Sequence, residues 1–403
     1  MSDLGRGGHA SDKKKILVVC DSYLPSVQGG GGVWTVVNLV ERFSDRYDFF
    51  IVTRNYDGKG DRRPFTTVET GKWNTVGGAS VYYLAAEDVT QTMLARIVEG
   101  VGADCIFLNS TMSTPCVKFL MTRRRGAQTN IPVILAPCGE LSPGALKGKS
   151  LKKKAFLATA RATGLFDDVI WRASSDVEAD EIRRSAGSSA EIMVAPDLTP
   201  KTILPNYSPD TKPEKRNGEV TFIFYSRVVP KKNLRGLLDL LQTVERGKVT
   251  LEIVGPLEDQ RCWLDCQSLI ATLPSNIAVN VVGPATYEAG LQHLYSSHFL
   301  VLPTLGENFG YVFIESLAAG TPVLRSDKVI WDDLEQKNAG WRVALDDRDT
   351  WLRQIADCIE IDDADYKAMS AAARKYAVDW LAQPEIEEAT ANLLAGSLGT
   401  EPQ

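Results

Sequence analysis

Short apolar runs alternate with amphipathic segments along most of the chain. In the first half, the apolar runs predict buried strands at residues 15–20, 49–53, 80–84, 104–108, 132–136 and 192–195. In the second half, they predict strands at residues 220–225, 249–254, 278–282, 299–302 and 322–324. Segments between them have helical apolar spacing, as in residues 33–43. Strands alternating with helices are typical of mostly parallel sheets covered by helices on both faces.

Four stretches depart from this alternation and indicate the domain organisation. Residues 1–12 are polar and glycine-rich, which is typical of a disordered tail. Residues 201–218 combine prolines with charges and predict a linker, so we expect one domain over residues 13–200 and another over residues 219–375. Residues 54–79 form a long excursion, which is more often functional or mobile than structural. Residues 365–394 predict two helices with a break near Pro384.

The composition is that of a protein with two cores. The chain has 403 residues, of which 44% are hydrophobic, and single domains cluster at about 100–200 residues. Residues 1–200 contain 25 Lys and Arg against 22 Asp and Glu, whereas residues 201–403 contain 20 against 29. This imbalance argues against nucleic acid as a partner and allows a local basic face on the first half.

The number of cysteines and the lengths of the apolar runs indicate the cellular compartment in which the protein is expected. The seven cysteines are scattered and there are only three histidines, which argues against a disulfide framework or a histidine metal cluster. No apolar run approaches the roughly 18–20 residues of a membrane span. The polar start of the chain lacks the pattern of a secretory signal. We therefore expect a cytoplasmic protein with reduced thiols.

The stretch 299–324 carries the most informative chemistry. Its strand is followed by a loop at residues 304–308 and by a predicted helix over residues 309–319, so a helix N-terminus that favours anions follows a strand end. Glu307 lies in the loop and Glu315 in the helix. Helical rise places Glu315 about 7–8 Å beyond Gly310, roughly the distance from a diphosphate to the ribose hydroxyls of a nucleotide. The alternatives are a helix-start acid at Glu307 and a solvated residue at Glu315.

The sequence here resembles a known family. Glu307 and Glu315, separated by seven residues, together with Phe309-Gly310 and the sequence of residues 318–323, are similar to the E-x7-E segment of the retaining family 4 glycosyltransferases. The resemblance implies a GT-B fold, with two Rossmann-like α/β domains whose parallel sheets face a central cleft. It also implies that a C-terminal helix over residues 376–403 returns toward the first domain.

The same resemblance implies roles for residues of the second domain. Glu315 is expected to bind the ribose hydroxyls and Glu307 the donor sugar. The remaining donor-binding residues are expected at the helix start, where main-chain amides face the phosphates: Asn308, Phe309, Gly310 and Tyr311.

Breaking a bond to a diphosphate places negative charge on the leaving group, which cations or a metal must stabilise. Arg227 follows a predicted strand and Lys232 precedes a helix. The residues alone favour a solvated surface pair, whereas the resemblance implies a clamp on the diphosphate. The sequences Asp347-x-Asp349 and Asp363-x-Asp365 resemble metal-binding pairs but are predicted to start helices. We therefore expect no metal and no other cofactor.

A glycine run lies between the first predicted strand and helix. It contains Gly30 and Gly31, and glycines let the main chain approach a ligand closely. It lacks the spacing of the dinucleotide fingerprint, so a flexible turn is an equal alternative. The resemblance implies that this loop lies against the donor phosphates and the acceptor.

The first predicted domain carries the candidates for the acceptor side. Members of the resembling family commonly place a histidine after the strand predicted at residues 132–136, but this sequence has Pro137-Cys138-Gly139-Glu140 there. A nucleophilic role for Cys138 is not expected, since no partner histidine is visible. The candidate acceptor residues are those that follow predicted strands of the first domain: Asn109, Ser110, Cys138 and Glu140.

Residues 147–154 are strongly basic. Their lysines are Lys147, Lys149, Lys152, Lys153 and Lys154. A solvated surface is one interpretation of this run. The other is attraction to anionic lipid or to a lipid-linked diphosphate acceptor, which would make the protein peripheral at the inner membrane face.

Together these features predict a retaining, metal-independent glycosyltransferase of surface polysaccharide biosynthesis. Its partners would be a nucleotide sugar and a glycan or lipid-linked acceptor. Two alternatives stay open: a nucleotide-sugar epimerase, which would need no acceptor, and a catalytically weak nucleotide-binding subunit of a glycan assembly complex, suggested by the missing histidine.

Overall fold

The computed structural model describes residues 13–57, 62–126, 130–147, 150–201, 203, 208 and 211–400, and the side chains at 147 and 150 are excepted. The predicted tail at residues 1–12 lies outside the described residues. So do residues 202, 204–207 and 209–210 of the predicted linker. The chain divides into two compact units. The first contains Met1–Lys201 and Pro384–Gln403, and the second contains Thr202–Gln383.

The first unit is built on an eight-stranded sheet. Its strands are β1 (Lys14–Cys20), β2 (Tyr47–Arg54), β3 (Trp73–Val76), β4 (Ala79–Leu84), β5 (Cys105–Asn109), β6 (Val133–Ala136), β7 (Ile170–Ala173) and β8 (Glu191–Val194). Their order is β3-β4-β2-β1-β5-β6-β7-β8, and all neighbours pair in parallel except β3 with β4.

Helices cover this sheet. They are α1 (Gly31–Phe43), α2 (Gln91–Val101), α3 (Thr114–Arg124), α4 (Pro143–Lys147), α5 (Ser150–Ala162), α6 (Asp176–Ala186) and α13 (Pro384–Leu398). Alternate residues of β1 enter different cores: Leu17 and Val19 pack with α2 and α3, whereas Ile16 and Val18 pack with α1. The helix α13 also contributes to the α1 core, because its Leu394 is fully buried there.

The second unit is built on a six-stranded parallel sheet. Its strands are β9 (Glu219–Tyr225), β10 (Lys248–Val254), β11 (Ile277–Gly283), β12 (Phe299–Leu302), β13 (Val323–Ser326) and β14 (Gly340–Val343), in the order β11-β10-β9-β12-β13-β14. Its helices are α7 (Leu234–Leu241), α8 (Gln260–Ile270), α9 (Tyr287–Ser296), α10 (Tyr311–Ala318), α11 (Arg348–Glu360) and α12 (Asp363–Leu381).

The strand prediction missed three strands. β7 and β14 each contain an arginine, Arg172 or Arg342, which interrupts the apolar run in the sequence. Arg172 is nevertheless buried, in an ion pair described below. β3 lies within the excursion at residues 54–79, which is therefore partly structural.

The helical boundaries also differ from the prediction. α10 begins at Tyr311 and not at 309, because Gly310 adopts a left-handed conformation. α12 runs without a break through residue 376, where a separate terminal helix was predicted to begin. The break predicted near Pro384 is confirmed, because Pro384 is the first residue of α13, where proline is favoured, and the two units divide there.

Candidate functional site

The loop and helix that follow β12 form the main candidate site of the second unit. Gly310 precedes α10 with a φ of 79° and, having no side chain, supplies no side-chain cap. A Cβ at this position would lie 2.6 Å from the Phe313 ring, so this turn requires glycine. A helix N-terminus without a side-chain cap favours an anion.

Glu307 lies in this loop beside Lys232, which ends the turn of 3₁₀ helix Pro230–Lys232. Lys232 Nζ donates to Glu307 Oε1 at 2.7 Å, and the two side chains are only 13% and 9% exposed. The Thr304 hydroxyl donates to the same oxygen at 2.7 Å. Burial favours the protonated acid, but the charges of Lys232 and Lys231 and these hydrogen bonds hold the pKa of Glu307 below its ordinary value. Glu307 is therefore a buried anion with a paired cation.

The main chains of the two segments hold this pair in place. The Lys231 carbonyl accepts from the Leu305 amide at 2.8 Å, and the Thr304 hydroxyl oxygen lies 3.2 Å from the same carbonyl oxygen. The Asn233 side chain donates to the Pro303 carbonyl at 3.0 Å. The structure thus brings together two of the predicted site residues, Lys232 and Glu307.

Glu315 lies inside α10 and is 6% exposed. A solvated position, the alternative interpretation from the sequence, is therefore wrong. Burial raises the pKa of Glu315 to about 8. At neutral pH the carboxyl is mostly protonated, so a ligand that hydrogen-bonds to the carboxylate would favour its ionisation.

Tyr225, at the end of β9, is a residue of this site that the sequence analysis missed. Its ring lies against α9 at Gly290, where a Cβ would lie 2.0 Å from the Tyr225 hydroxyl oxygen. Burial and then the charges of Glu315 and Glu288 raise the pKa of Tyr225. Its position at the C-terminal end of a parallel strand was the available signal, because ligands of open α/β sheets bind there.

Arg227 does not join Glu307. Its Nη1 donates to Glu258 Oε2 at 2.6 Å, and the side chains are 40% and 31% exposed. The role of Arg227 as a phosphate clamp stays a prediction.

The side chains of Phe309 and Tyr311 pack inside the unit. They are 3% and 8% exposed, and their ring centroids are 4.9 Å apart. Trp331, which the sequence analysis also missed, packs on Phe309 at 5.2 Å and donates its indole N–H to the Phe309 carbonyl at 2.9 Å. Asn308 is partly exposed in the same turn. Donor contacts by Asn308, Phe309 and Tyr311 stay predictions.

A second group of predicted residues lies in the first unit, at the glycine loop. Gly30 precedes α1 with a φ of 61°, and α1 begins at Gly31, so this helix also starts without a side-chain cap. Asp57 holds the preceding residues: its carboxylate accepts from the Ser26 hydroxyl at 2.6 Å and from the Val27 amide at 3.0 Å. These hydrogen bonds hold the loop in a defined conformation.

Asn109 and Cys138 lie next to this loop. The Asn109 side chain donates to the Gly32 carbonyl at 2.7 Å and accepts from the Cys138 thiol at 3.1 Å. Burial and then the charges of Asp197 and Glu178 raise the pKa of Cys138 well above its ordinary value. The thiol therefore stays protonated and is a poor nucleophile.

Glu140 supports the loop after β5. Its carboxylate accepts from the Ser110 hydroxyl at 2.7 Å, from the Thr111 amide at 2.7 Å and hydroxyl at 2.6 Å, and from the Met112 amide at 3.1 Å. Both carboxylate oxygens are thus engaged within the protein. Direct acceptor contacts by Glu140 and Ser110 stay predictions.

A buried ion pair supports the same edge of the sheet. Arg172 Nη1 donates to Asp197 Oδ1 at 2.8 Å, with side chains 5% and 4% exposed. Glu178 accepts from the Gly139 amide at 2.6 Å and from the Ser174 hydroxyl at 2.8 Å. An arginine inside an otherwise apolar strand was the one available sequence signal for this buried network.

The basic run is partly described. Lys152 and Lys154 are exposed on α5 beside Leu151, which is 83% exposed. Lys153 instead donates to the Ala145 carbonyl at 2.6 Å. Lys149 and the side chain of Lys147 lie outside the described residues.

The Asp-x-Asp sequences lie at helix starts, as predicted. Asp347 accepts from the Thr350 amide at the start of α11, and Asp363 and Asp365 lie in the first turn of α12. Within the described ranges, no three metal-ligating side chains come together. No described helix is both long and apolar enough to cross a membrane.

Comparison with known proteins extends these observations. Residues 209–376 match the family model for glycosyl transferases group 1, which covers most of the second unit. A search of curated proteins finds no significant match. Among solved structures, HepE of Anabaena in complex with UDP and glucose aligns over 95% of this chain and 100% of its own, with a TM-score of 0.68 and 16% identity. The fold is GT-B.

Two further structures show the same fold. Sucrose-phosphate synthase from Thermosynechococcus elongatus aligns over 96% of this chain and 100% of its own, with a TM-score of 0.66 and 16% identity. WaaG, a glycosyltransferase involved in lipopolysaccharide biosynthesis, aligns over 94% of this chain and 100% of its own, with a TM-score of 0.62 and 14% identity. At these identities the likeness concerns the fold, while the group 1 match supports sugar transfer.

Proposed function

We propose that the protein is a retaining glycosyltransferase that moves a sugar from a nucleoside diphosphate to a glycan or lipid-linked acceptor. The observation that carries this proposal is the buried Lys232–Glu307 pair beside the start of α10, with the Glu315 carboxyl buried inside the same helix. The group 1 match over residues 209–376 supports it, since the match includes all three residues.

Each part of this site has a role in the proposal. The first turn of α10 and the Lys232 ammonium bind the diphosphate, and Arg227 leaves Glu258 to join them. Glu307 orients Lys232 and contacts the donor sugar. Glu315 accepts hydrogen bonds from the ribose hydroxyls. Because HepE is described in complex with UDP and glucose, a uridine diphosphate sugar is the first donor to test.

In the transfer step, the bond between the anomeric carbon and the diphosphate oxygen breaks, and its electron pair stays on the oxygen. An acceptor hydroxyl oxygen bonds to the anomeric carbon, and its proton passes to the leaving diphosphate. We propose attack from the face that the diphosphate leaves, so that the configuration is retained. Lys232, Arg227 and the α10 amides stabilise the developing charge without a metal ion.

The first unit supplies the acceptor site in this proposal. Asn109 and Cys138 lie beside the glycine loop, and Glu140 holds the loop that carries Ser110. Exposed Lys152 and Lys154 with Leu151 form a surface suited to anionic lipid. WaaG, which shares the fold, is a glycosyltransferase involved in lipopolysaccharide biosynthesis and is a precedent for a surface-glycan acceptor. We therefore propose action at the inner membrane face in surface polysaccharide assembly.

The test is turnover of UDP-sugars with and without glycan acceptors, followed by NMR of the product's anomeric centre. We expect UDP release that requires an acceptor, with retained configuration. Glu307→Gln should lose activity, whereas Glu99→Gln, an exposed carboxyl on α2, should not. Conversion of the donor without acceptor would instead indicate the epimerase. Nucleotide binding without transfer to any acceptor would indicate the weak partner subunit.

A further inference from the structure

Two hydrogen bonds from one segment hold the turn that contains Glu307 and Gly310. The segment is residues 327–339, between β13 and β14, and is called the β13–β14 loop below. Its Lys328 carbonyl accepts from the Glu307 amide at 3.2 Å. Its Trp331 indole N–H donates to the Phe309 carbonyl at 2.9 Å, and Trp331 is 2% exposed. The second of these bonds acts on the main chain immediately before Gly310.

The peptide plane between Phe309 and Gly310 connects this bond to the proposed phosphate site. A trans peptide is rigid, so its carbonyl and its N–H point to opposite sides. Gly310, with its φ of 79°, has the conformational freedom that would let this plane rotate. By holding the Phe309 carbonyl, Trp331 determines the direction of the Gly310 N–H.

Trp331 is itself held firmly. Its ring centroid lies 5.2 Å from that of Phe309 and 5.2 Å from that of Trp380 on α12. The Tyr376 ring packs at 6.3 Å, and its hydroxyl donates to Asp333 Oδ1 at 2.6 Å, which joins α12 to the β13–β14 loop. A donor fixed in this way can orient a peptide plane without reorganising when a ligand binds.

We infer that Trp331 is a positioning residue of the donor site, which aims the Gly310 amide at the diphosphate of the bound nucleotide. The inference rests on the proposed function. It predicts that Trp331 affects the phosphate contacts of a nucleotide and not its nucleoside contacts, because Glu315 lies farther along α10. A merely structural role would weaken both kinds of contact together.

The experiment compares the affinities of UDP and uridine for wild type, Trp331→Phe and Trp380→Phe by calorimetry. Trp331→Phe keeps an aromatic ring but removes the N–H donor. Trp380→Phe is the matched control, because it changes the same cluster without touching the Phe309 carbonyl. We expect Trp331→Phe to weaken UDP binding about tenfold, as for one lost hydrogen bond of about 1.4 kcal/mol, with uridine affinity unchanged. Trp380→Phe should leave the ratio of the two affinities unchanged.

Equal weakening of UDP and uridine by Trp331→Phe, or no weakening of either, would overturn the inference and leave the proposed function standing. If wild type binds neither ligand, the comparison is made with the nucleoside diphosphate that does bind and its nucleoside, and a wild type that binds none of UDP, GDP, ADP and TDP would overturn both. If Trp331→Phe does not fold, Trp331→Met is the second donor-free variant, since methionine adapts to irregular core space. The same selective loss of UDP affinity is expected from it, and an unchanged ratio would count equally against the inference.

Discussion

Lys232 reaches Glu307 from 75 positions earlier in the chain and donates to it at 2.7 Å, in a place where both side chains are largely buried. A buried ion pair of this kind is weak evidence for stability, because desolvation offsets much of the attraction. Its position at the start of α10 instead favours a functional role. A lysine ammonium has three N–H donors, and Glu307 accepts one of them.

Removing the lysine alone should destabilise the protein. In Lys232→Met, the Glu307 carboxylate stays buried without its cation, and we expect a loss of about 3 kcal/mol in the free energy of unfolding. Chemical denaturation measures this loss. The double variant Lys232→Met/Glu307→Gln removes the buried charge as well and should recover most of the stability. If the double variant is as unstable as the single variant, the pair does not carry the effect.

Glu315 should make stability depend on pH. Between its ordinary pKa of 4.5 and its raised value of about 8, the folded protein keeps a proton that the unfolded chain has released. Stability from this group is therefore lost as the pH rises from 4.5 to 8, by at most about 1.4 kcal/mol per pH unit. Glu315→Gln should become increasingly more stable than wild type over this range.

The matched control for this pH series is Glu288→Gln, which changes an exposed carboxyl at the start of α9. Denaturation at pH 5, 6, 7 and 8 should give the same slope for Glu288→Gln and wild type. A constant difference between Glu315→Gln and wild type at all four values would contradict the raised pKa.

Nucleotide binding should release a proton from the same residue. Ribose hydroxyls donate to a carboxylate and so favour its ionised form, which lowers the pKa of Glu315 in the complex. Calorimetry of UDP binding near pH 7, in buffers with different ionisation enthalpies, measures the release. We expect up to about one proton released by wild type and less by Glu315→Gln. Equal release by both proteins would show that the proton comes from elsewhere.

Gly290 and Gly396, which both lie within helices, should respond oppositely to substitution by alanine. At Gly290 the new Cβ would lie 2.0 Å from the Tyr225 hydroxyl oxygen, so we expect destabilisation and weaker nucleotide binding as Tyr225 is displaced. At Gly396 on α13 nothing lies within 4 Å, and alanine should stabilise by about 0.5–1 kcal/mol through helix propensity. Thermal unfolding of both variants checks the pair. Stabilisation by Gly290→Ala would show that Tyr225 moves freely.

The sequence was most informative where local patterns decide the structure. Apolar runs located eleven of the strands. The sequence pattern also placed Glu307 in the loop before α10 and Glu315 within that helix, as the structure has them. The runs failed where burial depends on a distant partner. Arg172 makes β7 look polar in sequence, yet Asp197, 25 positions later, neutralises it in the core.

The same limit applies to the site. The sequence around Arg227 does not indicate its ion pair with Glu258, because the two residues are 31 positions apart. Nor does the sequence around Trp331 reveal that its indole binds the Phe309 carbonyl, 22 positions earlier. Both contacts join segments that are distant in sequence and meet only through tertiary packing, which helical or strand periodicity does not encode.

The most direct test of the donor site is thermal stabilisation of wild type and Glu315→Ala by UDP, GDP, ADP and TDP, with and without magnesium. At about 100 times its dissociation constant, a nucleotide that binds the folded protein adds about 2.7 kcal/mol of stability. We predict that one nucleotide stabilises wild type without magnesium and that Glu315→Ala loses this response. Stabilisation by none of the four, or an equal response from Glu315→Ala, would contradict the donor site proposed for α10.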